Sequence, residues 1–143
     1  LELSFDEEEI VDPDEAAEIT VERWSPDYLR ATYPGVPEPE YDEDSVEAGR
    51  ELYFDALRTN CAACHGETGI GDGPSATEFA DEWGYPVAPR DLTTGVYRAG
   101  GTAADLYRSI DTGINGTPMP SFGGSLAPEE IWALVHFLQS LAR

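Results

Sequence analysis

Both cysteines of the chain, Cys61 and Cys64, fall in the stretch "TNCAACHGETGIGDGP", with His65 directly behind the second. The following run, residues 61–101, is rich in Gly and Pro and separates two helical patterns. A structureless loop of that length does not suit a compact domain. It suits one in which the loop wraps a large group that stands in for part of the core. What the Cys-Ala-Ala-Cys-His cluster holds is therefore the first constraint on the fold.

Three chemistries use such a cluster. A structural zinc site takes four ligands, usually as two pairs; here there is one pair, and the one other histidine is His136. A thioredoxin-like dithiol sits at a helix start after a strand in a βαβ pattern, and no such alternation surrounds Cys61. The third is covalent haem, because C-x-x-C-H is the haem c attachment pattern. Cys61 and Cys64 each add to a vinyl group to give a thioether, and a helical turn spaces the sulfurs for this. His65, next in line, presents its imidazole to the iron. Of the three, haem also accounts for the long loop.

A matching signal lies in "NGTPMPSF". Met119 is the single methionine of the chain, held between Pro118 and Pro120 before the last helical pattern. Methionine ordinarily fills gaps in cores. A polar Gly/Thr/Ser loop is a poor core, but two prolines can hold a thioether rigidly over an iron. Histidine–methionine ligation raises the reduction potential. Met119 is thus the candidate sixth ligand. His136 is the competitor, and its place inside the last helix suggests a packed or surface residue.

The chain carries 29 Asp+Glu against 8 cations, a formal net charge of −21. Every cation is an arginine: Arg23, Arg30, Arg50, Arg58, Arg90, Arg98, Arg108 and Arg143. Such a surface repels nucleic acid and anionic lipid, which excludes both as partners. It suits a basic partner brought in by electrostatic steering, a saline milieu, or plain solubility. No stretch is apolar over the roughly 20 residues that a membrane-spanning helix needs. A start at Leu1, with no initiator Met and no signal-peptide pattern, fits a leader or anchor removed earlier.

The acid is concentrated before and within the Pro-rich run "YPGVPEPEYDEDS". That step places a boundary near Asp44, dividing an acidic extension, 1–43, from a domain, 44–143. In the extension, "LELSF" and "ITVER" alternate in the strand period, so residues 1–5 and 19–23 are predicted as strands of a short β ribbon. "SPDYLR" reads as one helical turn capped by Ser25. Trp24, Tyr28 and Tyr33 argue for an ordered extension lying on the main domain, because free tails are poor in aromatics.

The domain itself reads as all-α with long loops. "DSVEAGRELYFDALR" predicts a helix capped by Asp44, with Glu47 three residues on and Val46, Gly49, Leu52, Tyr53 and Leu57 on one face. "TAADLYRSIDTG" places Thr102 and Asp105 in capping-box spacing, Leu106 and Ile110 inward, and Gly113 as a stop. "PEEIWALVHFLQSLAR" opens on Pro128, with Glu129 and Glu130 where the helix dipole favours anions. Its apolar stripe is Ile131, Leu134, Val135, Leu138 and Leu141. "GDGPSA" formally matches a dinucleotide fingerprint, but it follows no strand and holds Pro74 inside it, so it is set aside.

On Gly49 with Tyr53, "CAACH", "GDGP", "PRDLT", "DLYRSIDTGINGTPMPSF" and "WALVHFLQSL", residues 44–143 resemble a class I c-type cytochrome. The resemblance implies the class I cytochrome c fold: helices wrapped around one covalent haem c, with only an edge exposed. First and last helices cross where a small residue meets an aromatic, here Gly49 against Phe137 with Tyr53 alongside. It implies the Pro74 carbonyl as acceptor of the His65 ring N–H, and Arg90 as the cation on a haem propionate. It implies Trp83, Tyr85, Tyr97 and Trp132 as packing around the porphyrin, with Asn115 bonded near the methionine loop.

By the same resemblance the chain transfers electrons between redox protein partners and is not an enzyme. The implied place is the periplasm or another outer face of an energy-converting membrane, as a soluble carrier or a subunit of a larger complex. The rival reading is a ligand-binding, sensor or peroxidase-like haem protein in which Met119 is displaced. Two features depart from the pattern. Ala127 stands where Ser or Thr commonly precedes the proline, leaving Ser125 or no cap, and 1–43 has no counterpart in the family core.

Overall fold

The computed structural model describes residues 12–24, 35–80 and 83–142. The chain divides into two compact units, Leu1–Gly35 and Val36–Arg143. In the first unit, residues Pro13–Trp24 form a helix, α1. Asp12 starts it by accepting the Asp14 N–H at 2.8 Å, Pro13 presets the first turn, and Asp14 and Glu15 sit where the dipole favours anions. Residues 19–23, predicted as a strand, are therefore helical. Five alternating residues are too short a run to outweigh a helix start six residues upstream. The predicted strand at 1–5 and the turn at 25–30 lie outside the described residues.

In the second unit, helix α2 spans Glu43–Phe54. Its cap is Asp42 rather than Asp44: the Asp42 carboxylate accepts the Ser45 N–H at 2.7 Å, and Ser45 Oγ accepts the Asp42 N–H at 3.2 Å. Glu47, the expected box partner, is instead held by Arg50 at 2.8 Å. The helix ends at Asp55, so Leu57 leaves the predicted apolar face and is 98% exposed. Residues 36–42 pack on this same unit. Tyr41 lies 5.1 Å from the His136 ring, ring to ring, and Glu38 Oε1 stands 3.7 Å from His136 Nε2.

A single turn, α3, covers Cys61–His65, a 3₁₀ turn covers Leu92–Thr94, and α4 covers Ala103–Thr112. The box predicted for α4 is present, with Thr102 Oγ1 accepting the Asp105 N–H at 3.2 Å and Asp105 Oδ2 accepting the Thr102 N–H at 3.1 Å. The last helix, α5, covers Pro128–Leu141. Ala127 offers no side-chain acceptor, and Ser125 Oγ donates to the Phe122 carbonyl instead of capping. The Glu130 carboxylate alone reaches back to the Ala127 N–H at 2.9 Å. It also takes a two-pronged bond from Arg58 at 2.8 and 2.9 Å. One carboxylate thus starts α5 and ties it to the turn after α2.

The core lies where α2 crosses α5. A Cβ on Gly49 would strike the Ala133 carbonyl and come within 2.9 Å of Phe137 Cβ. Only a glycine lets the two backbones approach this closely. Tyr53 stacks on Phe137 at 5.1 Å beside that contact. Ile131, Leu134, Val135 and Leu138 are buried along α5 as predicted, and Trp132 packs on Tyr107 of α4 at 4.6 Å. Among the described residues there is no strand, only an isolated bridge between Ala80 and Pro86.

Candidate haem-binding site

The turn before α3 is wound on one carbonyl. The N–H groups of Arg58, Thr59 and Asn60 all donate to Asp55 O, at 3.3, 3.1 and 2.9 Å. Thr59 Oγ1 adds a bond to the Leu52 carbonyl. Asn60 then takes a left-handed conformation, φ 49°, which Asn tolerates better than most residues. Its carbonyl accepts the Ala63 N–H, and the helical turn Cys61–His65 begins. Residues three apart on such a turn share a face. Cys61 and Cys64 accordingly line one cavity, and neither is in a disulfide.

The glycine-rich loop is stitched back onto this turn. Gly71, Gly73 and Ser75 donate to the carbonyls of His65, Cys64 and Ala63, at 2.8, 3.1 and 2.8 Å. A Cβ on Gly73 would lie 2.6 Å from the Ala62 carbonyl oxygen, so the contact requires glycine. The Tyr53 hydroxyl donates to Gly66 O at 2.7 Å, fixing the end of the turn against α2. Burial raises the pKa of this phenol, which stays a donor.

His65 Nδ1 stands 3.0 Å from the carbonyl oxygen of Arg90. A carbonyl only accepts, so Nδ1 carries the proton and Nε2 keeps its lone pair. Burial lowers the pKa of the imidazole, with the Arg90 bond acting the other way. The ring is held neutral, as a metal ligand must be. The acceptor expected here was the Pro74 carbonyl. In the structure the Arg90 carbonyl stands at that nitrogen, while the Gly73 and Ser75 N–H groups on either side of Pro74 bond the backbone of α3. The side chain of Arg90 lines the cavity too, with Nε donating to Val96 O at 2.7 Å.

Met119 is half-buried and lines the same cavity. Its loop closes on itself: Ile114 N–H donates to Met119 O at 3.3 Å, and Thr117 Oγ1 donates to Ile114 O at 2.7 Å while accepting the Met119 N–H at 3.3 Å. Ser121 Oγ and the Gly123 N–H tie the next residues to Asp111 O at the end of α4. Gly113, with φ 71°, has the Met119 carbonyl 2.9 Å from where a Cβ would be. No bond to Asn115 contributes; Thr117 does what was expected of it.

The cavity measures about 400 Å³ and brings together Cys61, Cys64, His65, Arg90 and Met119. Leu92, Leu106, Ile110, Phe122, Leu134 and Leu138 make its wall largely apolar. Tyr97 lines it as predicted. Trp132 is buried behind the lining, while Trp83 and Tyr85 are 75% and 69% exposed and do not line it. His136 is also absent from the lining. It is wholly buried on α5 with Nδ1 2.8 Å from Ser45 Oγ. Two thiols, a neutral imidazole with a free Nε2 and a thioether around one apolar cavity fit haem c. Burial raises the Cys61 pKa, with the neighbouring Thr59 acting the other way.

The cytochrome c family model matches residues 46–142. The chain belongs to the cytochrome c family, whose cofactor is haem and whose chemistry is electron transfer. The spacing of Cys61 and Cys64 fits one covalent haem c. The chain is 30% identical over 115 residues to the Cbb3-type cytochrome c oxidase subunit FixP of Azorhizobium caulinodans, covering 80% of this chain and 32% of that protein. It is 34% identical over 106 residues to the subunit CcoP of an Azospirillum species, covering 66% and 30%. It thus spans about a third of the length of these relatives.

Among solved structures, a chain of the Kuenenia stuttgartiensis reducing HAO-like protein complex superposes with a TM-score of 0.70 at 35% identity, over 94% of this chain and 63% of that one. Cytochrome cL from Hyphomicrobium denitrificans shares the fold, with a TM-score of 0.52 at 21% identity over 85% and 61%. Among the described residues no helix is long and apolar enough to cross a membrane.

Proposed function

We propose that residues 44–143 are a one-electron relay, carried by a haem c that this domain attaches and ligates, and that 1–43 is an appended acidic extension. One observation supports this above others: Cys61, Cys64, His65 and Met119 line one apolar cavity. Cys61 and Cys64 would hold the group covalently, through thioethers at its two vinyl positions. His65 would ligate through Nε2 and Met119 through its thioether. Pro74 sits in the turn that braces α3, and Arg90 offers its guanidinium to a propionate. The bound group supplies an Fe(III)/Fe(II) couple.

With His65 and Met119 both available as ligands, the domain would act as a carrier rather than a catalyst. The threefold tie on the Met119 loop favours this over a ligand-binding site with a displaced methionine. FixP and CcoP are named as oxidase subunits. By that likeness the domain works inside a redox complex on the periplasmic face of a membrane, exchanging electrons with protein partners. The charge of −21 suits partners with basic docking surfaces.

The test is an absorption spectrum of the oxidised and reduced protein, followed by denaturation. Sharp reduced haem c bands, a weak far-red sulfur-to-iron band and haem that survives denaturation are expected. A colourless protein from a host that matures haem c sinks the proposal. A coloured protein without the far-red band removes Met119.

A further inference from the structure

The five arginine side chains described in the second unit fall into two groups. Arg50, Arg58 and Arg108 are each neutralised by a carboxylate, of Glu47, Glu130 and Asp105, at 2.8, 2.8 and 2.6 Å. Among the described residues Arg90 and Arg98 have no carboxylate partner, and both line the cavity. In a chain of net charge −21, acids are abundant everywhere. Two guanidiniums left unpaired at one cavity mark a place where an anion arrives with the ligand.

The backbone around them is held. Arg90 Nε bonds Val96 O at 2.7 Å, which leaves the outer guanidinium nitrogens for another acceptor. The Tyr97 hydroxyl donates to Leu92 O at 3.2 Å. Arg98 follows directly, so the segment that receives Arg90 also sets where Arg98 stands. Asp91, which also lines the cavity, directs Oδ1 to the N–H and hydroxyl of Thr93, at 2.9 and 2.7 Å, and forms an ion pair with neither arginine.

We infer that Arg98 is a second propionate-binding residue, forming with Arg90 a two-guanidinium cradle for the two carboxylates of the haem. This rests on the haem reading above. Guanidinium and carboxylate match in shape and charge, so each pair is directional as well as electrostatic. A cation beside a propionate offsets a negative charge that would otherwise favour ferric iron. Arg98 therefore holds the potential up without touching the metal.

The experiment compares the haem-loaded full chain with Arg98→Gln, Arg98→Lys and Arg58→Gln. Midpoint potentials and the propionate bending bands of the resonance Raman spectrum are read. Arg98→Gln is expected to keep its haem, shift the propionate band and move the one-electron equilibrium about threefold toward ferric, on the order of 30 mV. Arg98→Lys should recover most of the potential but not the band position. Arg58→Gln, altered outside the cavity, should match the parent. A parent-like potential and band in Arg98→Gln overturns the inference. The same two readings with slowed electron exchange toward an acidic partner also overturn it and put Arg98 on a docking surface. A parent that binds no haem fails at the earlier step, which the spectrum shows before any variant is made.

Discussion

His65 Nδ1 and the Arg90 carbonyl oxygen stand 3.0 Å apart, 25 residues apart in sequence. A loop segment far from Cys-Ala-Ala-Cys-His thus selects the ring nitrogen left free for a metal. The same residue lines the cavity. In the proposed site, one position, Arg90, would act on both the ligand and the charge around it, its carbonyl role being independent of its side chain. Arg90→Gln should therefore lower the reduction potential through lost charge yet leave the histidine–iron stretching band unmoved. A shift of that band would mean that the side chain also places the carbonyl.

Met119→Ala should leave the haem covalently attached while opening the iron to cyanide or carbon monoxide. The potential should fall by more than about 59 mV, a factor of ten for one electron, because a soft sulfur ligand favours ferrous iron. Potentiometry and ligand titration check both. An unchanged potential removes Met119 from the site.

Gly49→Ala places a methyl group against the Ala133 carbonyl and Phe137 Cβ. Backbone blocks one side, so the helices must separate. The expected cost is about 3 kcal/mol, the upper range for overpacking a filled core. Denaturant unfolding of the haem-loaded protein measures it, and a loss below about 0.5 kcal/mol, the usual size of surface effects, would show that the crossing gives way freely.

Ser45 serves the α2 cap and His136 together, being 2.8 Å from the buried Nδ1. Its hydroxyl donates to Asp42 O, so it accepts from Nδ1–H. Ser45→Ala should cost more than the roughly 1 kcal/mol of a lost cap, because a buried donor is also orphaned. Adding His136→Leu should restore part of that loss. Additive destabilisation in the double variant would show that the two residues are not coupled.

The Arg58 bond, and then the Ala127 N–H, hold the pKa of Glu130 below its ordinary value. A carboxylate lowered in the folded state contributes stability above its unfolded pKa and loses it as pH falls through the folded value. Arg58→Gln should therefore be slightly less stable than the parent near neutrality, as expected for so exposed a pair. The gap should close as pH drops below the ordinary glutamate range. A gap that persists unchanged in acid would trace the effect to packing rather than charge.

Much of the site was legible in order along the chain. The C-x-x-C-H turn, the Thr102–Asp105 box, the proline start of α5, the small residue at Gly49 and the proline-flanked Met119 are signals complete within a few residues. They depend on covalent geometry and local hydrogen bonding, which the sequence by itself determines. Where several acids compete for one role, local pattern is silent: Asp42 took the cap from Asp44 because Ser45 could answer it and Glu47 was drawn to Arg50. The run 19–23 became helix because its alternation was shorter than the helix signal preceding it.

What only the tertiary structure decided are matters of who meets whom across long separations. The acceptor for His65 is Arg90 rather than Pro74, His136 is sealed against Ser45, Leu57 is left in solvent, and Arg90 and Arg98 line the cavity with no carboxylate partner among the described residues. The His65 and arginine placements depend on how the loop between α2 and α4 returns to the core, and the His136 contact on the crossing of α2 and α5. Close backbone approach at Gly49, at Gly73 and at Gly113 permits such contacts without naming the partner.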